Sequence, residues 1–261
     1  MNSLLAESHR DCFDVVLVSP RNPLNIGAAA RAMANFGFRR LSVVTPYEAH
    51  WREAKSAIGA SDLLQNARNT ETLADAVADC SLVIGTASLN HRKPEQPVIP
   101  LPELAPLIQK ELARGGHIAL VFGSEKRGLT LEDLAHCHIL AVIPTDPQQP
   151  SMNLGQAVAV CLYELGTRIP GSAQELGAPG PLLLGTGGAA ASDNLPASTR
   201  DVELLAGVVE QTMLAANYSP ADMRKANQHD LDLLLRRLAL TRHDAGRVLG
   251  FFRRVLWRLN R

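Results

Sequence analysis

The sequence lacks the spacings that announce a metal or disulfide scaffold. Its four cysteines, Cys12, Cys80, Cys137 and Cys161, contain no C-x-x-C pair, so neither a zinc site nor a disulfide framework is signalled. The triplet His136-Cys137-His138 is the one cluster of soft ligands. Alternation along a strand sends such neighbours to opposite faces, and no second cluster accompanies it, so no metal is expected. No apolar run reaches the length of about 18 residues that a membrane span needs. No secretory signal is visible at the N-terminus, and a soluble cytoplasmic protein is the expectation. No G-x-G-x-x-G follows the first apolar run, which removes the main signature of a nicotinamide-dependent oxidoreductase. Net charge is missing too: 26 Lys and Arg balance 26 Asp and Glu. That neutrality leaves a polyanionic partner open, because binding depends on local charge.

Apolar residues make up 46% of the 261 residues, enough for one domain with a sizeable core plus a smaller appendage. Short continuous apolar runs recur at Val15–Val18, Leu41–Val44, Leu82–Ile84, Ile118–Phe122 and Ile139–Ile143. Such runs suit strands buried on both faces of a parallel sheet. A weaker strand is expected at Ala67–Asn69. Helical stretches lie between them. Ile26–Phe36 is Ala-rich and ends at Gly37, a C-cap residue. Glu71–Ala78 follows Thr70, a possible N-cap. Leu101–Ala113 and Asn153–Leu165 complete the set. Strands alternating with helices predict an α/β fold with one mainly parallel sheet over residues 1–168.

The composition then shifts. Residues 169–198 are rich in Gly, Pro and Ala and read as a flexible linker, within which Leu182-Leu183-Leu184 could dock on a neighbouring surface. Residues 199–261 form a helical C-terminal extension, with one stripe at Leu231, Leu234, Leu235 and Leu238 and another at Val248, Leu249, Phe252, Val255 and Leu256. Its last part is basic: about ten Lys or Arg against about three Asp between Arg224 and Arg261. Solvated helix faces would account for this charge, and so would a nucleic-acid contact.

Three loops carry the chemistry-bearing residues, each following an apolar strand. Strand C-termini are where open α/β sheets bind ligands. The first loop runs from Pro20 to Arg31, with Asn25 at a helix start and Arg31 six residues further on. Asn25 could serve simply as an N-cap, and Arg31 as a surface arginine. Gly27 and the three following alanines suggest a helix packed closely against something. The second is Phe122-Gly123-Ser124-Glu125-Lys126-Arg127-Gly128-Leu129, whose two glycines permit close backbone approach to a ligand. The third runs from Ile143 to Gly155 through Ser151-Met152-Asn153, where Ser151 or Asn153 could cap the next helix.

In order, spacing and placement these loops resemble the three motifs of the SPOUT class of RNA methyltransferases, and within it the TrmH-like ribose 2′-O branch. Pro23-Leu24-Asn25-Ile26-Gly27 with Ala30-Arg31-Ala32 is similar to the first motif. Phe122-Gly123-Ser124-Glu125 with Gly128-Leu129 is similar to the second, and Ser151-Met152-Asn153-Leu154 with Ala157 to the third. The likeness covers residues 13–168. Gly59-Ala60-Ser61-Asp62, Val83-Ile84-Gly85-Thr86-Ala87-Ser88 and the C-terminal position of the helical tail resemble the TrmJ type, whose members act on the tRNA anticodon loop.

The resemblance implies a sheet with a C-terminal trefoil knot, a homodimer with active sites at its interface, and S-adenosylmethionine as cofactor. It implies cofactor contacts from Thr86, Ala87, Ser88, Gly123, Ile143, Ser151, Met152 and Asn153. The catalytic set would be Arg31, Asn25, Glu125, Ser151 and Asn153. In the family the matching arginine activates the ribose hydroxyl. Arginine stays protonated, so electrostatic stabilisation of the alkoxide is the physically easier role. Asn25 would orient the ribose or Arg31, and Glu125 would hold Arg31 or the loop. The expected RNA contacts are Arg21, Arg92, Lys93 and Arg127 near the strand ends, with Arg236, Arg237 and Arg242 in the tail. The implied reaction is 2′-O-methylation of tRNA, at cytidine or uridine 32. Ribosomal RNA or another tRNA position is the alternative substrate, and a non-catalytic RNA-binding paralogue the alternative class.

Overall fold

The computed structural model describes residues 7–88, 94–169, 195–218 and 223–261. Its elements run α1 (Glu7–Arg10), β1 (Phe13–Val18), α2 (Pro23–Phe36), β2 (Arg40–Val44), α3 (Ser61–Gln65), β3 (Arg68–Thr70), α4 (Leu73–Val77), β4 (Leu82–Thr86) and β5 (Val98–Pro100). They continue with α5 (Ala105–Ala113), β6 (Ile118–Phe122), α6 (Leu131–Ala135), β7 (Ile139–Val142) and α7 (Leu154–Arg168). Three helices follow: α8 (Thr199–Ala215), α9 (Arg224–Arg237) and α10 (Arg242–Leu259).

The strands form a seven-stranded sheet in the order β3-β2-β1-β6-β4-β7-β5. Every strand pairing within it is parallel. Both faces are covered, which explains the unbroken apolar runs. Along β1, Phe13, Val15 and Leu17 join one core with residues of α2, α5 and α7. Val16 and Val18 enter the opposite core beneath α4 and α6. The chain steps outward from β1 to β2 and β3, then crosses to β4. Strand β6 lies between β1 and β4, and β7 lies between β4 and β5. Later strands are thus interleaved between earlier ones.

Helix α2 ends as expected at Gly37, whose φ of 82° is the left-handed value that closes a helix at little steric cost. Its close packing partners are Ser56 and Ala57, which a Cβ on Gly27 would strike, and α7. Several boundaries differ from the sequence-based expectation. Thr72, not Thr70, caps α4 through its side chain; Thr70 closes β3. Leu101–Glu103 is a separate 3-10 turn ahead of α5. The segment after residue 221 divides in two because Ala239 adopts a left-handed φ of 45° and Thr241 caps α10.

The C-terminal helices build a third core from Val202, Leu205, Ala206, Val209, Leu235 and Ala245, with Leu231, Val248, Leu249 and Phe252 packed on it. Leu234 and Leu238 of the expected stripe are instead exposed. Leu195–Ser198 belongs structurally to this unit. The Arg242 N–H donates to the Leu195 carbonyl, Pro196 bridges to Thr241, and Ser198 caps α8. The unit docks on the sheet domain where Thr199 donates both its N–H and its hydroxyl to the Cys80 carbonyl. Residues 170–194, including the Leu182–Leu184 run, lie outside the described residues.

Candidate active site

The site begins with a helix cap. Asn22, not Asn25, caps α2: its side chain accepts from the Leu24 N–H, and Pro23 occupies the first turn, where its missing N–H costs nothing. Asn25 therefore sits inside the first turn with its side chain available for other work. Its Nδ2 donates to Glu125 Oε1 at 2.8 Å, and its Oδ1 accepts from Asn153 Nδ2 at 2.9 Å. Asn153 does cap α7, accepting from the Gly155 and Gln156 N–H groups through Oδ1. One amide thus serves the helix with its oxygen and Asn25 with its nitrogen.

Glu125 receives two more donors, the backbone N–H groups of Arg21 at 2.9 Å and Asn22 at 3.1 Å. Its role is therefore to hold the first loop; among the described residues it makes no contact with Arg31. Partial burial by itself would push its carboxyl up. The hydrogen bonds from Asn25, from the Arg21 backbone, from its own backbone and from Asn22 outweigh that, and hold it below the ordinary glutamate value. The three loops are thereby joined by side chains 100 and 128 residues apart in sequence.

Gly123 lies hard against the far side of its own loop. A Cβ there would fall 2.1 Å from the Gly128 carbonyl carbon and 2.2 Å from the Leu129 nitrogen. Glycine is required by this approach. At the end of β4, the Thr86 hydroxyl donates to the Val121 carbonyl and the Ala87 N–H to the Ala141 carbonyl. Those groups tie the loops to the sheet. In the third loop, Thr145 Oγ1 donates to the Pro150 carbonyl. The main-chain groups of Ser151 and Met152 have no hydrogen-bond partner among the described residues. Ser88, Gly123, Ile143, Ser151 and Met152 thus lie on the segments that follow β4, β6 and β7, with unpartnered backbone polar groups at Ser151 and Met152.

Arg31 is exposed and apart from the Asn25–Glu125–Asn153 chain. Six residues separate it from Asn25, about 9 Å along the helix and roughly 120° around it. It shares an outward face of α2 with Leu24, which is exposed. Of the expected RNA contacts, Arg21, Arg127, Arg237 and Arg242 are exposed, while Arg92 and Lys93 lie outside the described residues. Arg236 is a correction: it is buried at 8% exposure, its guanidinium 3.9 Å from Glu203. Its place on the inner face of α9 turns it toward the protein. The His136-Cys137-His138 triplet lies ahead of β7 rather than on a strand, with His136 closing α6, so strand alternation does not govern it. His136 lies 3.3 Å from Glu203, Cys137 is buried, and His138 Nδ1 accepts from the Val83 N–H.

A second feature adjoins the Glu125 loop and escaped the sequence reading. Ser19 and Thr45, immediately after β1 and β2, both have positive φ, 47° and 40°. A β-branched residue there is a genuine outlier, costing roughly 1–3 kcal/mol. Their hydroxyls lie 3.0 Å apart. They line a hollow of about 390 Å³ together with Arg21, Tyr47, Ser124, Lys126 and Arg127. The only signal in the sequence was their position at strand C-termini.

A parallel α/β domain with a polar cluster, a tight glycine turn and cationic side chains at its strand ends places the candidate site where open α/β sheets bind ligands. The SpoU rRNA Methylase family matches residues 13–163, and the chain belongs to that family. A tRNA (cytidine/uridine/adenosine-2′-O-)-methyltransferase TrmJ of Pseudomonas aeruginosa is 42% identical over 59% of this chain and 60% of its own length. The chain thus matches less than two thirds of that relative. A tRNA (cytidine/uridine-2′-O-)-methyltransferase TrmJ of Shigella dysenteriae is 33% identical over 93% of both chains. The crystal structure of TrmJ from Z. mobilis superposes with a TM-score of 0.73 at 28% identity, covering 95% of this chain and 99% of that one.

Proposed function

We propose that this protein transfers the methyl group of S-adenosylmethionine to a ribose 2′-hydroxyl of tRNA, at cytidine or uridine 32 of the anticodon loop. The observation that carries this reading is the hydrogen-bonded chain Glu125–Asn25–Asn153, which locks three strand-end loops into one frame. The tRNA substrate is supported by the names of the relatives similar over most of this chain. The family description leaves ribosomal RNA as the second reading.

The residues present fit the cofactor. The unpartnered backbone groups of Ser151 and Met152 suit the edge of an adenine and its ribose, and Gly123 lets the second loop close tightly on Gly128 and Leu129 beside them. Gly123, Ser88, Ile143, Ser151 and Met152 would hold it, with Asn153 fixing the loop. Bound there, S-adenosylmethionine supplies a methyl carbon activated by its sulfonium. Positioning the hydroxyl in line with that carbon replaces a bimolecular encounter and provides much of the acceleration. Arg31 would bind the neighbouring phosphate and stabilise the alkoxide that develops as the hydroxyl proton passes to solvent water. Ser151 contacts the phosphate or orders the third loop.

Arg31 cannot meet its own subunit's polar chain from the outward face of α2, so the site is completed across a homodimer. Leu24 on α2 and Val160 and Tyr163 on α7, the helix packed against α2, are exposed apolar residues, which supports that side of the domain as the interface. Interleaving of β6 and β7 between earlier strands supports a trefoil knot at the C-terminal end of the sheet domain. The deciding experiment is calorimetric titration with S-adenosylmethionine and with NAD, followed by mapping of ribose methylation in total RNA. Binding of NAD alone rejects the reading. Methylation confined to ribosomal RNA moves the substrate to the second reading. An Arg31→Lys pH–rate profile tests the arginine: a basic limb shifted down toward a lysine pKa means general-base catalysis and refutes the electrostatic role.

A further inference from the structure

We propose that the hollow behind the Glu125 loop is a subsite for one nucleotide flanking the target, with Tyr47 stacking on its base and Ser19, Thr45 and Lys126 holding its phosphate. This deepens the reading of the protein as an RNA methyltransferase and rests on it. The hollow opens at the ends of β1, β2 and β6, and its volume of about 390 Å³ lies in the range of small-ligand sites. It shares a wall with the polar chain. Ser124 and Lys126 flank Glu125, and the Arg21 N–H grips that carboxylate while the Arg21 side chain lines the hollow.

Its chemistry is one-sided. Arg21, Lys126 and Arg127 face a single carboxylate, Asp133. That carboxylate already accepts from the Thr130 N–H and hydroxyl in the cap of α6. The paired hydroxyls of Ser19 and Thr45 can satisfy one hydrogen bond between themselves and still donate one outward. Both sit on left-handed backbone that neither residue type favours. Strain of this kind persists where the surroundings over-determine it, and it clusters at ligand sites. Tyr47 is 70% exposed, and the Arg21 guanidinium stands 5.0 Å from its ring centroid. An exposed ring paired with arginine, beside cations and hydroxyls, is the combination that binds single-stranded nucleic acid through base faces and phosphates.

The test uses the full chain, with tRNA varied at saturating S-adenosylmethionine, and fluorescence anisotropy with a short oligouridine. Tyr47→Ala should raise KM for tRNA about ten-fold, the size of one lost stack, with kcat within about two-fold. Tyr47→Phe keeps the ring and should stay within about two-fold of wild type. Lys126→Gln should reduce the slope of log affinity against log salt by about one. An unchanged KM in Tyr47→Ala overturns the subsite, and so does a Tyr47→Phe loss as large as that of Tyr47→Ala. Wild-type protein that methylates no RNA would sink the proposed activity. Loss of oligouridine binding in Tyr47→Ala would then still uphold the nucleotide site, and unchanged binding would overturn it.

Discussion

Replacing Glu125 by Gln tests whether the polar chain is the frame of the site. The carboxylate accepts three hydrogen bonds from other residues, from Asn25 Nδ2 and from the N–H groups of Arg21 and Asn22. A glutamine has one acceptor oxygen, so its NH₂ must face at least one of these donors. Hydrogen bonds to a charged acceptor contribute about 1.5–3 kcal/mol, less where solvent competes. Glu125 is exposed, which reduces the expected stability loss to about 1–2 kcal/mol. That loss falls on the junction of loops rather than on the core. Urea unfolding should therefore show a lower midpoint with an unchanged slope. The catalytic effect should be larger than the folding effect, because Asn25 loses its orientation and the start of α2 its anchor. A roughly 10- to 100-fold fall in kcat/KM corresponds to about 1.4–2.8 kcal/mol of transition-state stabilisation. The binding constant for S-adenosylmethionine should stay near the wild-type value, since the Gly123 turn is untouched. A Glu125→Gln protein within two-fold of wild type in kcat/KM would refute the reasoning, whatever its stability.

Other perturbations check other parts of the structure. Gly123→Ala forces a Cβ against loop backbone and should cost at least about 3 kcal/mol or abolish cofactor binding, read by thermal unfolding and calorimetry. Thr45→Asn places a residue that tolerates positive φ at a strained position and should raise the unfolding free energy measured in urea by about 1 kcal/mol while weakening RNA binding. His138 is held neutral: burial, then the nearby Arg236 charge, push its pKa down to about 3, and the Val83 N–H that donates to its Nδ1 requires the unprotonated nitrogen. The unfolded chain binds this proton below about pH 6.5 and the folded one does not. Stability should thus fall as pH drops from about 6.5 toward 3, and His138→Gln should flatten that part of the urea-midpoint profile. Arg237→Gln and Arg253→Gln should each lower the salt slope of tRNA binding by about one, measured by filter binding, without changing cofactor affinity.

Strands and helices were legible where burial is two-sided or the pattern long. The five apolar runs became β1, β2, β4, β6 and β7 because both sheet faces are covered. Strand β5, three residues ending in Pro100, was not anticipated: an edge strand that short carries no periodicity. The five-residue helices α3 and α6 were missed for the same reason. Asn25 could read as a cap because it stands near a helix start, and only Pro23 in the first turn pointed to Asn22 instead. That correction matters chemically, since with Asn22 as the cap both ends of the Asn25 amide are committed to Glu125 and Asn153. The partners of Glu125 were invisible because the contacts close loops of about a hundred residues. Arg236 and Arg237 are neighbours of equal charge, and only the helix packing shows that one is buried and one exposed.

The docking point of the C-terminal helices sets a length scale for the substrate. Thr199 and Arg200 hydrogen-bond to the Cys80 and Ala78 carbonyls, just before β4 begins, whereas the candidate site lies where the strands end. A strand of five residues separates the two levels by roughly 17 Å. On the proposed function, a short oligonucleotide seated beside Glu125 would leave the level of the α8 docking point uncontacted, while a folded RNA could span both levels. Affinity should therefore grow stepwise with substrate size. On the proposed function, the architecture of an RNA would be weighed at one end of the sheet and the reacting nucleotide read at the other.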